Sequence, residues 1–155
     1  MKRLLFLLLW FSAAMPAAAE QTLLMARVDM KATDTMEILK ETIREYGYEV
    51  AHVQRCDGGM AEFDYKTDFY RVVFFGKYQE VRGILRHYPE MAPFVPLKIA
   101  VIAEEDQTVL AALDPKALGH LFGHDPVLQV QFARWHNDIH SMMEELRRHA
   151  ERGRP

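Results

Sequence analysis

Tyr88-Pro89-Glu90-Met91-Ala92-Pro93-Phe94-Val95-Pro96-Leu97-Lys98-Ile99-Ala100-Val101 decides how this chain is laid out. Proline has no amide proton and restricts the residue before it, so Pro89, Pro93 and Pro96 end any helix and delay the next. The run they release, Leu97 to Ala103, is apolar apart from Lys98 and stops at charge, so it reads as a buried strand. Whatever precedes the prolines must dock on that strand, and a later helix must cover it.

Downstream, Glu104-Glu105-Asp106-Gln107 is a polar turn, and Thr108 to Leu113 is β-branched and apolar. The two runs read as a hairpin. Asp114-Pro115 starts a short helical turn to about Leu121, with aspartate as cap and proline at the first helical position. Asp125-Pro126 repeats the signal. Behind it Leu128, Phe132, Trp135, Ile139, Met142 and Leu146 recur in steps of four and three, a one-sided stripe expected to lie across the sheet. Residues 151–155 are expected to fray.

Upstream, 22–30 reads as a strand with Leu24, Ala26 and Val28 on one face. A helix is predicted over 34–46, opened by Asp34 with Glu37 in capping-box position and stopped by Gly47. Residues 48–54 read as a strand with Tyr48, Val50 and His52 on one face. Cys56 to Gly59 is a turn, and 60–68 carries no assignable pattern. Residues 69–75 form an apolar strand, and 77–87 a helix with Gly83 inside it. The sum is an α+β fold, a two-layer sandwich in which helices pack on one face of a mainly antiparallel sheet. Residues 20–150 form the single domain.

The N-terminus has its own order. Lys2 and Arg3 precede an apolar run from Leu4 to Phe11, then Pro16, then Ala17-Ala18-Ala19 before Glu20. That is a secretory signal peptide, residues 1–19, cleaved between Ala19 and Glu20. The run is too short to span a bilayer comfortably, and no cysteine follows for a lipid anchor. The mature protein is therefore expected to be periplasmic or secreted, with no stable membrane anchor. Loss of Lys2 and Arg3 takes the basic count from 19 to 17 against 22 acidic residues, a net −5. That balance disfavours nucleic acid.

Several matches lie in order along the chain: Gly47-Tyr48-Glu49-Val50, Tyr70-Arg71-Val72-Val73-Phe74-Phe75, Tyr88-Pro89-Glu90, Val95-Pro96-Leu97-Lys98-Ile99-Ala100-Val101 and Asp114-Pro115. By their order and spacing, residues 22–146 resemble the prokaryotic family known as domain of unknown function 302. The resemblance implies helices packed on a mainly antiparallel sheet and suggests a homodimer. It implies no activity and no catalytic residues.

Candidate chemistry is sparse. His136 and His140 stand four apart on the terminal helix, so both rings can face one metal, with Met143 on the same side. The bland reading is a pair of half-buried or solvated histidines beside the stripe. His120 and His124 are weaker additional ligands, because Gly123 and Asp125-Pro126 break helix there. Cys56 is the sole cysteine, so it is a packed or half-exposed free thiol or pairs with a second chain. Tyr65, Tyr70, Phe74, Phe75, Phe94, Phe122, Phe132 and Trp135 line an apolar pocket or simply form core. Glu62, Asp64 and Asp68 show no partnered geometry. No nucleophile, phosphate-loop or dinucleotide motif occurs, so an enzyme is disfavoured. Two readings remain: a non-catalytic binding module for an apolar ligand, metal or haem-like group, and a dimeric protein-interaction module.

Overall fold

Alternation sets the two faces of the sheet. In β1 (Leu23–Val28), Leu24, Ala26 and Val28 are buried while Leu23, Met25 and Arg27 point the other way. The structure, a computed structural model, describes residues 22–64, 67–123 and 125–153. The signal-like segment 1–19, Tyr65, His124 and the last two residues lie outside them.

Four further strands complete the sheet: β2 (Glu49–Arg55), β3 (Tyr70–Gly76), β4 (Leu97–Glu104) and β5 (Gln107–Leu113). Their order is β1-β5-β4-β3-β2, and every pairing is antiparallel. The strand after the prolines is thus central, as its apolar run requires. β4 and β5 form the expected hairpin, turned through Glu105 and Asp106, with Glu105 at φ +54°.

β2 departs from the expected facing. A bulge falls between Val50 and His52, so Val50 pairs with Phe75 while His52 pairs with Phe74. An extra residue reverses the alternation. Tyr48 and Val50 therefore face the core, whereas His52 stands on the opposite, outer face and Val53 takes the inward position opposite Val73.

α1 (Ala32–Glu45) begins two residues before the predicted start. The capping box does not form; Lys31 is the N-cap, and its carbonyl accepts from the amide and hydroxyl of Thr35. Asp34 sits inside the first turn instead. The C-terminus follows the sequence signal. Gly47 is left-handed at φ +75°, its amide donates to Arg44, and the Tyr48 amide donates to Ile43. These two bonds are the Schellman pattern, which uses carbonyls the helix leaves open.

The turn expected over Cys56–Gly59 is one helical turn, α2 (Asp57–Met60), and the unassigned stretch continues from Met60 into a 3-10 turn over Ala61–Phe63. α3 spans Tyr78–His87. Pro89–Met91 and Pro115–His120 are 3-10 turns, and α4 runs over Pro126–Arg152, two residues into the stretch expected to fray. Asp114 accepts from the Lys116 amide, and Asp125 from the amides of Val127 and Leu128, so both Asp-Pro caps are made.

All six stripe residues of α4, from Leu128 to Leu146, are buried and pack on the same side of the sheet as Leu39 and Ile43 of α1. Burial of each Leu, Ile, Met or Phe among them is worth about 1.5–3 kcal/mol, and that of the larger Trp135 more. Among the described residues, no helix is long and apolar enough to cross a membrane.

Candidate functional site

Antiparallel register places Val72, Ala100 and Ala111 side by side on the outer face of β3, β4 and β5. Met25 flanks Ala111 on the far side. Two adjacent alanines between larger neighbours leave a hollow, because a methyl group cannot fill the row. At the end where β4 begins and β5 finishes, Phe94, Pro115, Leu118 and Ile139 add further walls. The result is an open cleft of about 200 Å³. The proline segment thus both releases β4 and supplies Phe94 to the cleft, and the first Asp-Pro cap supplies Pro115.

Among the described residues, Lys98 is the one charged residue on the cleft wall. Its ammonium donates to the Pro93 carbonyl at 2.9 Å and lies 5.8 Å from the centre of the Phe74 ring. Both contacts lay the long side chain along the wall, while the residue as a whole stays exposed to water.

The predicted aromatic set divides three ways. Phe75, Phe132 and Trp135 are core; Tyr70 and Phe74 belong to the outer face; Phe94 lines the cleft. Phe94 stands edge-on to Phe122 at 5.7 Å, and Phe122 continues to Phe132 at 6.0 Å. The cleft wall is therefore coupled by packed rings to the core face of α4.

His136 and His140 do come together, with ring centroids 6.2 Å apart and planes 21° from parallel. His136 Nδ1 lies 2.8 Å from Asp114 Oδ1, a carboxylate that also caps the 3-10 turn. A carboxylate accepts only, so Nδ1 is the donor in this contact. His140 is exposed, whereas Met143 is buried in the core cluster. His120 is exposed at the end of its 3-10 turn, and His124 is outside the described residues. Among the described residues no group of three or more His, Cys, Asp or Glu is placed to hold a metal. Two imidazoles alone make an open site.

Cys56 is a half-buried free thiol, with Sγ 3.8 Å from the Gln54 carbonyl. Its neighbour Asp57 accepts from both Arg55 and Arg71, the latter at 2.6 Å. Hydrogen bonding from Arg55 first, with Arg71 adding charge, holds the Asp57 carboxyl below its usual range. Glu62 and Asp64 are exposed beside this turn.

One polar cluster had no signal beyond an i, i+4 pair. The Tyr48 hydroxyl donates to Asp138 at 2.5 Å, and Arg134 reaches the Tyr48 oxygen at 3.2 Å. Arg134 also pairs with Glu80, which accepts from the Trp135 indole at 2.9 Å. Lys77 lies 4.5 Å over the Tyr48 ring. Burial first, then the Asp138 carboxylate, pushes the Tyr48 phenol well above its ordinary value. The phenol therefore stays protonated as a donor. This cluster ties the end of α1, the start of α3 and the middle of α4 together, and its groups are occupied with one another.

The family model described as domain of unknown function DUF302 matches residues 25–146. The crystal structure of an uncharacterized conserved protein DUF302 from Bacillus stearothermophilus resembles this one with TM-score 0.65 at 19% identity, over 83% of this chain and 98% of that chain. That likeness shows the fold. No curated protein matches.

Proposed function

The chain belongs to the DUF302 family, a domain of unknown function, and we propose that it is an exported, non-catalytic binding module that takes a small apolar ligand into the cleft beside β4 and β5. The observation that carries this reading is the wall: of the twelve described residues lining the cleft, all but Lys98 are apolar. Specific small-molecule sites are concave and largely apolar with a few polar groups. An apolar cavity of about 150 Å³ suffices for benzene, so a cleft of about 200 Å³ suits one ring or a short chain. A macrocycle such as haem is too large for it.

Saturable thermal stabilisation by 1-octanol or toluene, weakened in Ala100→Leu, is the expected result. Ligand at about a hundred times its dissociation constant stabilises by about 2.7 kcal/mol. No stabilisation by either compound would remove the reading. Export rests on residues 1–19 of the sequence; intact mass of protein recovered outside the cytoplasm should begin at Glu20, and a full-length species there would overturn it.

A second reading is a dimer through the outer sheet face. Leu23, Met25 and Leu113 lie together there, 51%, 53% and 44% exposed, and contiguous exposed apolar surface favours a protein partner. Sedimentation should then show a dimer that Met25→Asp dissociates. A wild type that stays monomeric at high concentration would exclude it.

A further inference from the structure

We propose that the ligand of the cleft carries a carboxylate, and that Lys98 pairs with it at the rim while the apolar remainder lies along Ala100 and Ala111. This inference rests on the apolar-ligand reading above. Among the described residues, Lys98 supplies the only charged side chain on a wall whose other side chains are apolar. Its ammonium has three protons, and the bond to Pro93 uses one. Among the described residues its recorded partners are a carbonyl and a ring, and none of the ion pairs there includes it.

The position of the charge matters as much as its sign. Pro93 is itself a wall residue, so the bond to its carbonyl keeps the ammonium at the cleft. Holding a flexible lysine in place beforehand reduces the entropy lost when an anion arrives. Lys98 alternates with Leu97 and Ile99, which are buried, so the strand directs it to the outer face with Ala100 two residues on. The anion and the apolar body of one short molecule are thereby served by neighbouring positions of one strand.

Charge count selects the anion class. A phosphate or sulfate ester presents three or more terminal acceptors and is commonly held by arginine forks or several donors. Here there is one ammonium, and the other described residues of the cleft wall include no second cation. One carboxylate matches one ammonium, with water on its other oxygen. The cleft volume of about 200 Å³ then sets the body, an eight-carbon chain or a single aromatic ring.

Calorimetric titration of the protein with octanoate and with 1-octanol tests the proposal, because the two compounds share their chain and differ in charge. Wild type should prefer octanoate by about fivefold at low salt, the range of an exposed ion pair. The preference should shrink as salt rises. Lys98→Met and Lys98→Gln, both at an exposed position, should abolish it while leaving octanol binding in place. Equal affinity for both compounds in wild type, or an octanoate preference that survives both Lys98 variants, would overturn the carboxylate and leave the apolar cleft standing. Binding of neither compound would overturn both readings, as would octanoate binding unaffected by Ala100→Leu.

Discussion

Truncating Trp135 to alanine tests whether α4 is the lid of this fold. The indole is 1% exposed, lies 6.1 Å from the Phe132 ring and donates to Glu80 at 2.9 Å. A buried tryptophan removes about 200 Å² from water, and at about 25 cal/mol per Å² that is about 5 kcal/mol before relaxation. Partial collapse of the cavity reduces the loss, so about 3–5 kcal/mol is expected. Glu80 keeps Arg134 as its partner, so the carboxylate is not stranded. Trp135→Phe separates the two contributions: it retains a ring but loses the indole N–H, at about 1–2 kcal/mol. Urea unfolding followed by far-ultraviolet circular dichroism measures both. A Trp135→Ala midpoint close to wild type would refute the seating of α4, and a Phe variant as damaged as the alanine one would refute the assignment of most of the energy to packing.

Gly47→Ala should destabilise by about 1–2 kcal/mol through its left-handed backbone, since the nearest atom a Cβ would meet is 3.8 Å away and space is not the problem; an unchanged urea midpoint would contradict that. Bonding from the Leu128 amide first, then from Tyr88, holds the Asp125 carboxyl below its usual value. A depressed folded value means this contribution is complete above the unfolded value, near 3.9, and is lost as pH falls through the folded one. Wild type should therefore lose midpoint below about pH 4 faster than Asp125→Asn, and parallel pH profiles would sink the idea. Zinc or copper titration should show modest binding that disappears in His136→Ala/His140→Ala, because two imidazoles leave the site incomplete; equal heats in both proteins, or none, would leave the Asp114–His136 pair with a structural role only.

Much of this architecture is legible one residue at a time. The α4 stripe from Leu128 to Leu146 reads correctly because a helix imposes its own period on burial, and no distant partner is needed to see it. Asp114, Asp125 and Gly47 mark element ends for the same local reason: a cap or a left-handed residue completes hydrogen bonds within a few positions. The proline segment ends the preceding helix and releases an apolar run, and that run is the central strand of the sheet.

Where several stretches must meet, local reading stops. The bulge after Val50 turns His52 away from the core, and only pairing with β3 reveals the extra residue. Asp34 looked like a cap, but α1 starts where the end of β1 delivers the chain, two residues earlier. Asp138, Arg134, Glu80 and Tyr48 look like ordinary polar positions until three helix segments converge on them. The cleft is the clearest instance. Ala100 and Ala111 are unremarkable alone, and a hollow exists only because hairpin register sets them side by side with Lys98 at the rim. Periodicity and capping are short-range and are written in adjacent residues, whereas register and convergence depend on which distant segments the hydrophobic core brings together.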